Sequence, residues 1–163
     1  MAQEIYLTIT GITGESQKSG VTGWMEIYSF SHGVSNPTGV SHGTGSGTGK
    51  AEFMQLSVTK SVDLASPALF AYSASGQHSA KATLIVREST GGSTTQTYYQ
   101  YDMTEVFIDN VSWSGSQAGS GKPLETVSMS AKTHQLTYTQ QNADGSLGSP
   151  VIKGWDVSTN QAM

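Results

Sequence analysis

Apolar and polar residues alternate along most of this chain. Near its start, Ile5, Leu7 and Ile9 are separated by Tyr6 and Thr8. Because successive side chains of a strand point to opposite faces, this period of two predicts a half-buried β-strand. The period recurs in six further segments, at 24–31, 54–58, 82–87, 97–111, 127–138 and 151–157. Turns rich in glycine, serine and threonine separate them, so we predict a mainly β chain with about eight strands.

One segment predicts a helix instead. Ser66 suits the N-cap, Pro67 the first helical position and Gly76 a left-handed C-terminal cap. A helix this short must dock on the sheet to be stable, and we expect Leu69 and Phe70 to face the sheet. About eight strands with one helix are typical of a barrel or a sandwich, and the spacing does not distinguish the two. The length of 163 residues predicts a single domain, 1–163.

The most irregular segment is a glycine-rich run at 33–50, which is too long for a hairpin turn. It fails as a phosphate-binding loop because Thr44 stands where the first glycine is required. In addition, Ala51 follows Lys50 where a hydroxyl is needed, and the run leads into a strand. Long loops within compact domains are usually functional or disordered. We expect an extended, flexible loop that becomes ordered against another surface.

The composition excludes one class of partner. Charged residues make up 12% of the chain, against ~25% in typical soluble domains, and the formal net charge is −4. Nucleic-acid binding needs a basic face, so we predict no nucleic-acid partner. The chain has 24 Ser, 19 Thr and 19 Gly, and this neutral polar surface repels copies of itself only weakly. It therefore permits close packing of identical subunits.

The N-terminal residues, from Met1 to Tyr6, have neither a basic region nor a long apolar stretch. No segment approaches the ~20 apolar residues of a membrane span. We therefore expect cytoplasmic synthesis and assembly, export without a cleaved signal peptide, and no direct membrane insertion.

The residues that could carry chemistry do not form a recognised motif. His32, His42, His78 and His134 lack metal-ligand spacing, and the chain has no cysteine. No Gly-x-Ser-x-Gly elbow stands between a strand and a helix, and nothing marks a catalytic pair among the 12 acidic residues. We predict no enzymatic activity, no metal and no cofactor. The histidines are interpreted as surface or structural residues.

Five segments, taken together in order and spacing, resemble the Hcp family of type VI secretion proteins. They are GITGES at 11–16, GTGKAEFMQLSVTK at 47–60, VDLASPALF at 62–70, YYQYDMTEVFIDNVS at 98–112 and KGWDVSTN at 153–160. The resemblance implies a compact β-barrel of two packed sheets with one short α-helix and an extended glycine-rich loop. It also implies hexameric rings that stack into a hollow, secreted tube. Sheath and spike proteins, and small effector proteins in the lumen, are the implied partners.

Two groups of site residues follow as hypotheses. At subunit interfaces we expect three glycines of the long loop, which let backbones approach closely, together with a lysine and a tryptophan. These are Gly45, Gly47, Gly49, Lys50 and Trp155. A second Gly/Ser loop resembles the family's loop near the lumen, which places effector contacts at Gly115, Ser116 and Gln117. An ordinary hairpin loop is an equally good interpretation of that second segment.

Three other functions fit the same residues. The chain could be a tail-tube subunit of a phage or of a related contractile particle. It could be a monomeric secreted module that binds glycans or host receptors through exposed aromatic rings, although we favour core and interface packing for those rings. It could also be a hydrolase with an unrecognised site. The first needs the same ring assembly, the second requires a monomer, and the third requires measurable turnover.

Overall fold

The fold consists of nine strands and one helix in the described residues, and β6 (Thr95–Ser114) and β7 (Leu124–Gln141) are its longest strands. The structure is a computed structural model that describes residues 3–39, 49–89, 95–119 and 121–163. In chain order the elements are β1 Gln3–Ile9, β2 Met25–Glu26, β3 Ser29–Ser35, β4 Glu52–Ser61, α1 Ser66–Ser75, β5 His78–Ser89, β6 Thr95–Ser114, β7 Leu124–Gln141, β8 Leu147–Asp156 and β9 Gln161–Ala162.

Strand β7 divides the sheet into two branches. Its first part, from Leu124 to Met129, pairs with β4, and its second part, from Thr133 onward, pairs with β8. The opposite edge of β7 pairs with β6. The resulting order is β2-β1-β5-β6-β7-β4-β3, with β8 also on β7 and β9 on β8. Every pair in the sheet is antiparallel.

The two residues between β2 and β3 link the two ends of the strand order, because they bond to β1 on one side and to β4 on the other. The Ile27 N–H donates to the Ile5 carbonyl of β1 at 3.0 Å, whereas the Tyr28 N–H donates to the Thr59 carbonyl of β4 at 2.8 Å. The nine strands form one sheet that is not closed, rather than two separate sheets. The predicted mainly β fold with one short helix is confirmed.

Inward-facing side chains from β1, β4, β5, β6 and β7 form one apolar core. Its most deeply buried members include Leu7, Leu56, Leu84, Met103 and Met129. All five come from segments whose alternation predicted strands. In the described part of the chain, no helix has the length and apolar character needed to cross a membrane.

Helix α1 docks on this core through Leu69, which is fully buried. The expectation for Phe70 was wrong, because its side chain is 58% exposed. Neighbouring residues of an α-helix point about 100° apart, so only one of the two could face the sheet squarely. Ser66 is the first helical residue and follows Ala65, so the N-cap prediction was also wrong. Gly76 adopts the predicted left-handed conformation, with φ 69°.

Candidate assembly surfaces

Part of the β3–β4 hairpin leaves the sheet where β4 stops pairing with β7. The last β4–β7 pair is Leu56 with Met129. Beyond it, in the described part of the chain, residues 52–54 pair only with β3. From Thr133 onward the edge of β7 is occupied by β8. The end of the hairpin therefore crosses over the face of the sheet. We call residues 32–36 and 49–54 the arm.

Two aromatic stacks hold the arm against the sheet. The His32 ring of the arm lies over the Tyr101 ring of β6, with centroids 4.0 Å apart and planes 13° apart. The Phe53 ring of the arm lies over the His134 ring of β7, at 4.1 Å and 6°. Parallel contacts at these distances bury the faces of all four rings. The arm is thus fixed by side chains rather than by the sheet ladder.

Hydrogen bonds join both imidazoles to phenols of β6. His134 Nδ1 lies 2.5 Å from the Tyr101 hydroxyl, and His32 Nε2 is hydrogen-bonded to the Tyr99 hydroxyl. Burial lowers the pKa of both histidines, because a charged imidazole loses its hydration there. Burial also raises the pKa of Tyr99 and of Tyr101, so both phenols stay protonated. At neutral pH the contact between arm and sheet is therefore uncharged.

An apolar groove of about 450 Å³ runs between the arm and strand β8. Its floor and walls combine the two histidine stacks with side chains from the arm, β7 and β8. Trp155 lines it, and the indole Nε1–H is buried without a hydrogen-bond partner among the described residues. Lys153 is the cationic side chain at its edge. The groove therefore suits a largely apolar occupant.

Beside the groove, the core side of the sheet is uncovered. Leu136 lies opposite the buried Tyr101 in the β6–β7 ladder, so both project to the same face. Leu136 is nevertheless 41% exposed, and Tyr138, two residues further along, is 51% exposed. Val151 lies opposite Tyr138 on β8 and is 61% exposed. Together with Val34 of the arm, these three residues form what we call the open strip.

At the other end of β7, a buried charge cluster ties α1 to the sheet. Lys60 and Glu125 have fully buried side chains, with Nζ 2.9 Å from Oε2. The Lys60 ammonium also lies 2.7 Å from the Asp63 carboxylate, and the Ser66 hydroxyl donates to Glu125 Oε2 at 2.6 Å. A buried charge is tolerated only when paired in this way. The cluster therefore fixes the start of α1 against β4 and β7.

A second exposed apolar surface lies at the end of the β6–β7 pair nearest α1, which we call the helix end. The Phe70 ring of α1 lies near the Trp113 ring of β6, with centroids 6.0 Å apart, and Trp113 is 44% exposed. Strand β7 starts at Leu124, at the helix end, and reaches the open strip at Leu136. At about 3.3 Å per residue, these two residues are about 40 Å apart along the strand. The chain therefore carries two unlike apolar surfaces at opposite ends of the β6–β7 pair.

The residues predicted at interfaces fall into two sets. Gly45 and Gly47 lie outside the described residues. Gly49 lies on the arm, where a Cβ would stand only 2.4 Å from the Pro37 carbonyl oxygen, so a larger residue would collide with backbone. Lys50 is exposed next to Ala51, which lines the same groove as Trp155. The arm and Trp155 are thus neighbours.

The predicted lumen loop lies at the helix end, away from the groove. Gly115, Ser116 and Gln117 are exposed and follow the last residue of β6. The Pro123 carbonyl accepts a hydrogen bond from the Val62 N–H at 3.0 Å, and Lys122 Nζ lies 3.5 Å from Glu15 Oε2. These contacts anchor the far end of the loop to the rest of the fold. The contact with effectors stays a prediction.

Comparison with known proteins gives this chain a family. A family model described as "Type VI secretion system effector, Hcp" matches residues 6–138. The chain belongs to the Hcp family. Protein hcp1 of Pseudomonas aeruginosa is 32% identical to it over 161 residues, which are 98% of this chain and 98% of that one.

Solved structures of type VI proteins share the whole fold. Hcp1 from Salmonella typhimurium is 31% identical, with a TM-score of 0.83 and complete coverage of both chains. Another solved structure, of a type six secretion system protein, has a TM-score of 0.92 at 29% identity. It covers 99% of this chain and 100% of that one. The Hcp resemblance predicted from the five sequence segments is therefore confirmed.

Sequence reasoning missed two of the features that shape this Hcp-family chain. The buried pair was detectable, because Lys60 has the same strand phase as Leu56 and Val58. The histidine stacks had no local signal, since His32 and His134 meet Tyr101 from distant parts of the chain. Within the described residues, these histidines do not form a group of three or more potential metal ligands.

Proposed function

We propose that this chain is a structural subunit of a type VI secretion tube. Six copies form a ring, and the rings stack into a hollow tube that is secreted and carries small effector proteins in its lumen. Membership of the Hcp family supports this role, and the number six rests on the resemblance to that family. Sheath and spike proteins are the proposed further partners. Assembly takes place in the cytoplasm and precedes export.

The open strip is the observation that carries the proposal. Its apolar residues continue the face that elsewhere forms the core, yet they are roughly half exposed. Exposed apolar strips next to a groove are typical of protein interfaces. Covering the strip with a second copy would remove its apolar surface from water, at about 25 cal/mol per Å². A neighbouring subunit would therefore complete the core of each copy.

The two apolar surfaces are unlike, and this favours a ring. A contact between two different surfaces is head-to-tail, and it closes into a ring when the rotation between neighbours allows it. We assign the open strip and groove to one side of that contact. The surface around Phe70 and Trp113 forms the other side. Rings would also stack through the glycine-rich segment, with Gly45, Gly47, Gly49 and Lys50.

Particle mass and electron microscopy test the assembly directly. In negative stain, the wild-type protein should give annular particles, and light scattering should give a mass of six subunits or a multiple of six. Val151→Asp places a charge in the open strip and should leave a folded monomer. Ile152→Asp is the matched control, since Ile152 is 50% exposed on the same strand but points to the opposite face. It should keep its rings.

Three outcomes would contradict the proposal. Wild-type protein that is monomeric at all concentrations would exclude a self-assembling tube subunit. Rings that persist in Val151→Asp would exclude the open strip as the contact surface. Equal loss of rings in both variants would mean that the strip has no special role.

Effector carriage is tested separately, by substituting Ser116 and Gln117 with alanine and measuring loss of a co-expressed effector from rings that remain intact.

A further inference from the structure

We propose that His32 and His134 form a proton-sensitive latch, which holds the arm on the sheet while both imidazoles are neutral and releases it when they are charged. The latch is a property of the single subunit. Its effect on assembly rests on the proposed function above, because the arm borders the groove in which a neighbouring copy would lie.

The geometry concentrates the arm's attachment on these two rings. Among the described residues, the β4 half of the arm pairs only with its β3 half. The His32 ring stacks on the Tyr101 ring, at 4.0 Å, and is nearly parallel to the Phe30 ring, at 5.9 Å. His134 lies under Phe53 and bonds to the same Tyr101 that supports His32. One tyrosine therefore links both halves of the latch.

Protonation changes what each imidazole can do. A neutral imidazole offers one donor and one acceptor nitrogen, whereas a charged one offers two donors and no acceptor. The phenols of Tyr99 and Tyr101 remain protonated. A charged imidazole has no acceptor nitrogen, so each phenol can only accept a hydrogen bond from it. The phenol proton then loses the imidazole as its acceptor. Each imidazole also gains a positive charge among aromatic rings, where hydration is lost. Both effects weaken the docked arm.

The charged and titratable groups around the two histidines come from three strands. From β8, Lys153 lines the same groove, and from β6 the neighbouring titratable groups are the neutral Tyr99 and Tyr101. From β4, Glu52 is exposed beside Phe53. Among the described ion pairs, none joins a carboxylate to either histidine. The pKa of His134 is lowered first by burial and to a smaller extent by the nearby His32.

The sign of the pH dependence follows from these lowered pKa values. An arm that has been released exposes its imidazoles to water, so they bind protons at a higher pH than in the docked arm. Acid therefore favours release, and the docked arm regains its full stability above the ordinary histidine pKa of about 6.5. Each proton taken up can change the docking equilibrium by at most about tenfold per pH unit. With two histidines, the transition is steeper than for one.

Hydrogen exchange on the full-length protein tests the latch. Backbone amides of the arm should lose protection between about pH 7.5 and about pH 5.5, after correction for intrinsic exchange rates. Amides of β5 and β6 in the same molecule serve as the internal control and should keep their protection. A His32→Gln/His134→Gln variant should lose this pH response. His78→Gln is the matched control, since His78 is exposed on β5, and it should respond as the wild type does.

A second measurement does not depend on the double variant being folded. In the wild-type protein, NMR titration of the ring protons of His32 and His134 should give midpoints that coincide with release of the arm. An arm whose protection is independent of pH overturns the latch, as does release at a midpoint unrelated to either ring. An equal pH response in a folded double variant overturns it too.

Particle mass, recorded in the same samples, keeps the two proposals separable. Rings that dissociate as the arm is released support the latch together with its role in assembly. Release of the arm in a protein that is monomeric at every pH supports the latch and contradicts the proposed ring. Rings that persist while the arm remains protected at both pH values contradict the latch and leave the ring intact.

Discussion

The two ends of the β6–β7 pair hold their neighbouring elements on the sheet through different interactions. At the helix end, α1 is fastened by a charge cluster in which Lys60 and Glu125 are fully buried. At the arm end, the fastening consists of neutral histidine stacks, and the neighbouring Leu136 and Val151 are 41% and 61% exposed. Beneath α1 the core is completed within a single chain, although Phe70 and Trp113 stay exposed beside it. At the other end the fold leaves a surface that a partner can cover.

The largest expected effect comes from breaking the buried pair at the helix end. Lys60→Met leaves the Glu125 carboxylate buried without its cation, which should lower the free energy of unfolding by about 3–5 kcal/mol. Denaturant unfolding of the variant and the wild type gives the difference. Lys132→Met is the control, because Lys132 and its partner Glu105 are 42% and 53% exposed, and it should change stability by only about 0–1 kcal/mol.

A companion variant separates the missing partner from the missing side chain. In Lys60→Met/Glu125→Leu neither charge remains, so much of the lost stability should return. If Lys60→Met lowered stability no more than Lys132→Met does, the helix end would not depend on its charge cluster.

The next effect concerns Trp155 in the groove at the arm end. Trp155→Ala removes a half-buried indole and should lower the free energy of unfolding by about 2 kcal/mol, roughly half the value for a fully buried tryptophan. It should also abolish rings in negative stain. Trp24→Ala is a suitable control, since Trp24 is also half-buried but packs with the Tyr6, Val21 and Ile85 cluster. Retention of both melting temperature and rings in Trp155→Ala would exclude the predicted core or interface role.

A smaller effect distinguishes the two fastenings by pH. Because burial lowers the pKa of His32 and His134, the unfolded chain binds more protons below about pH 6.5, and the folded state loses stability as acid is added. The loss is at most about 1.4 kcal/mol per pH unit for each histidine. Unfolding curves at about pH 7.5 and about pH 5.5 should show a smaller difference in His134→Gln than in the wild type. An unchanged pH dependence in that variant would exclude His134 as a source.

The smallest effect on stability is expected at Phe70. Because this side chain is 58% exposed, Phe70→Ala should change the free energy of unfolding by less than about 1 kcal/mol. Leu69→Ala, one residue earlier and fully buried, should lower it by about 2–5 kcal/mol. Ring assembly should weaken in Phe70→Ala if its surface meets the open strip. Similar destabilisation by the two substitutions would contradict the orientation of α1.

Local patterns predicted the strands, the helix and its C-terminal glycine, since each depends on neighbouring residues. Gly76 illustrates this, because a left-handed cap needs only the residue and its place after the helix. The same reasoning failed at Phe70, where two adjacent apolar residues competed for one face of a short helix. Sequence phase would have placed Lys60 inside, but it does not reveal that Glu125 is the partner.

The groove could not be predicted in this way. His32 and Tyr101 are distant in sequence. They meet because β8 replaces β4 as the partner of β7 along one edge, so that the arm crosses over the face of the sheet. That exchange depends on pairing between distant strands, and a single sequence shows no signal for it. The same limit applies to the open strip, whose alternation resembles that of any half-buried strand.

The central claim is that the open end of each subunit is completed by another copy. Size-exclusion chromatography with light scattering, run on wild-type protein across a concentration series and on Val151→Asp and Ile152→Asp beside it, tests this most directly. The account predicts closed particles of six subunits for the wild type and for Ile152→Asp, and single subunits for Val151→Asp. Wild-type protein that stays a single subunit throughout the series would contradict it.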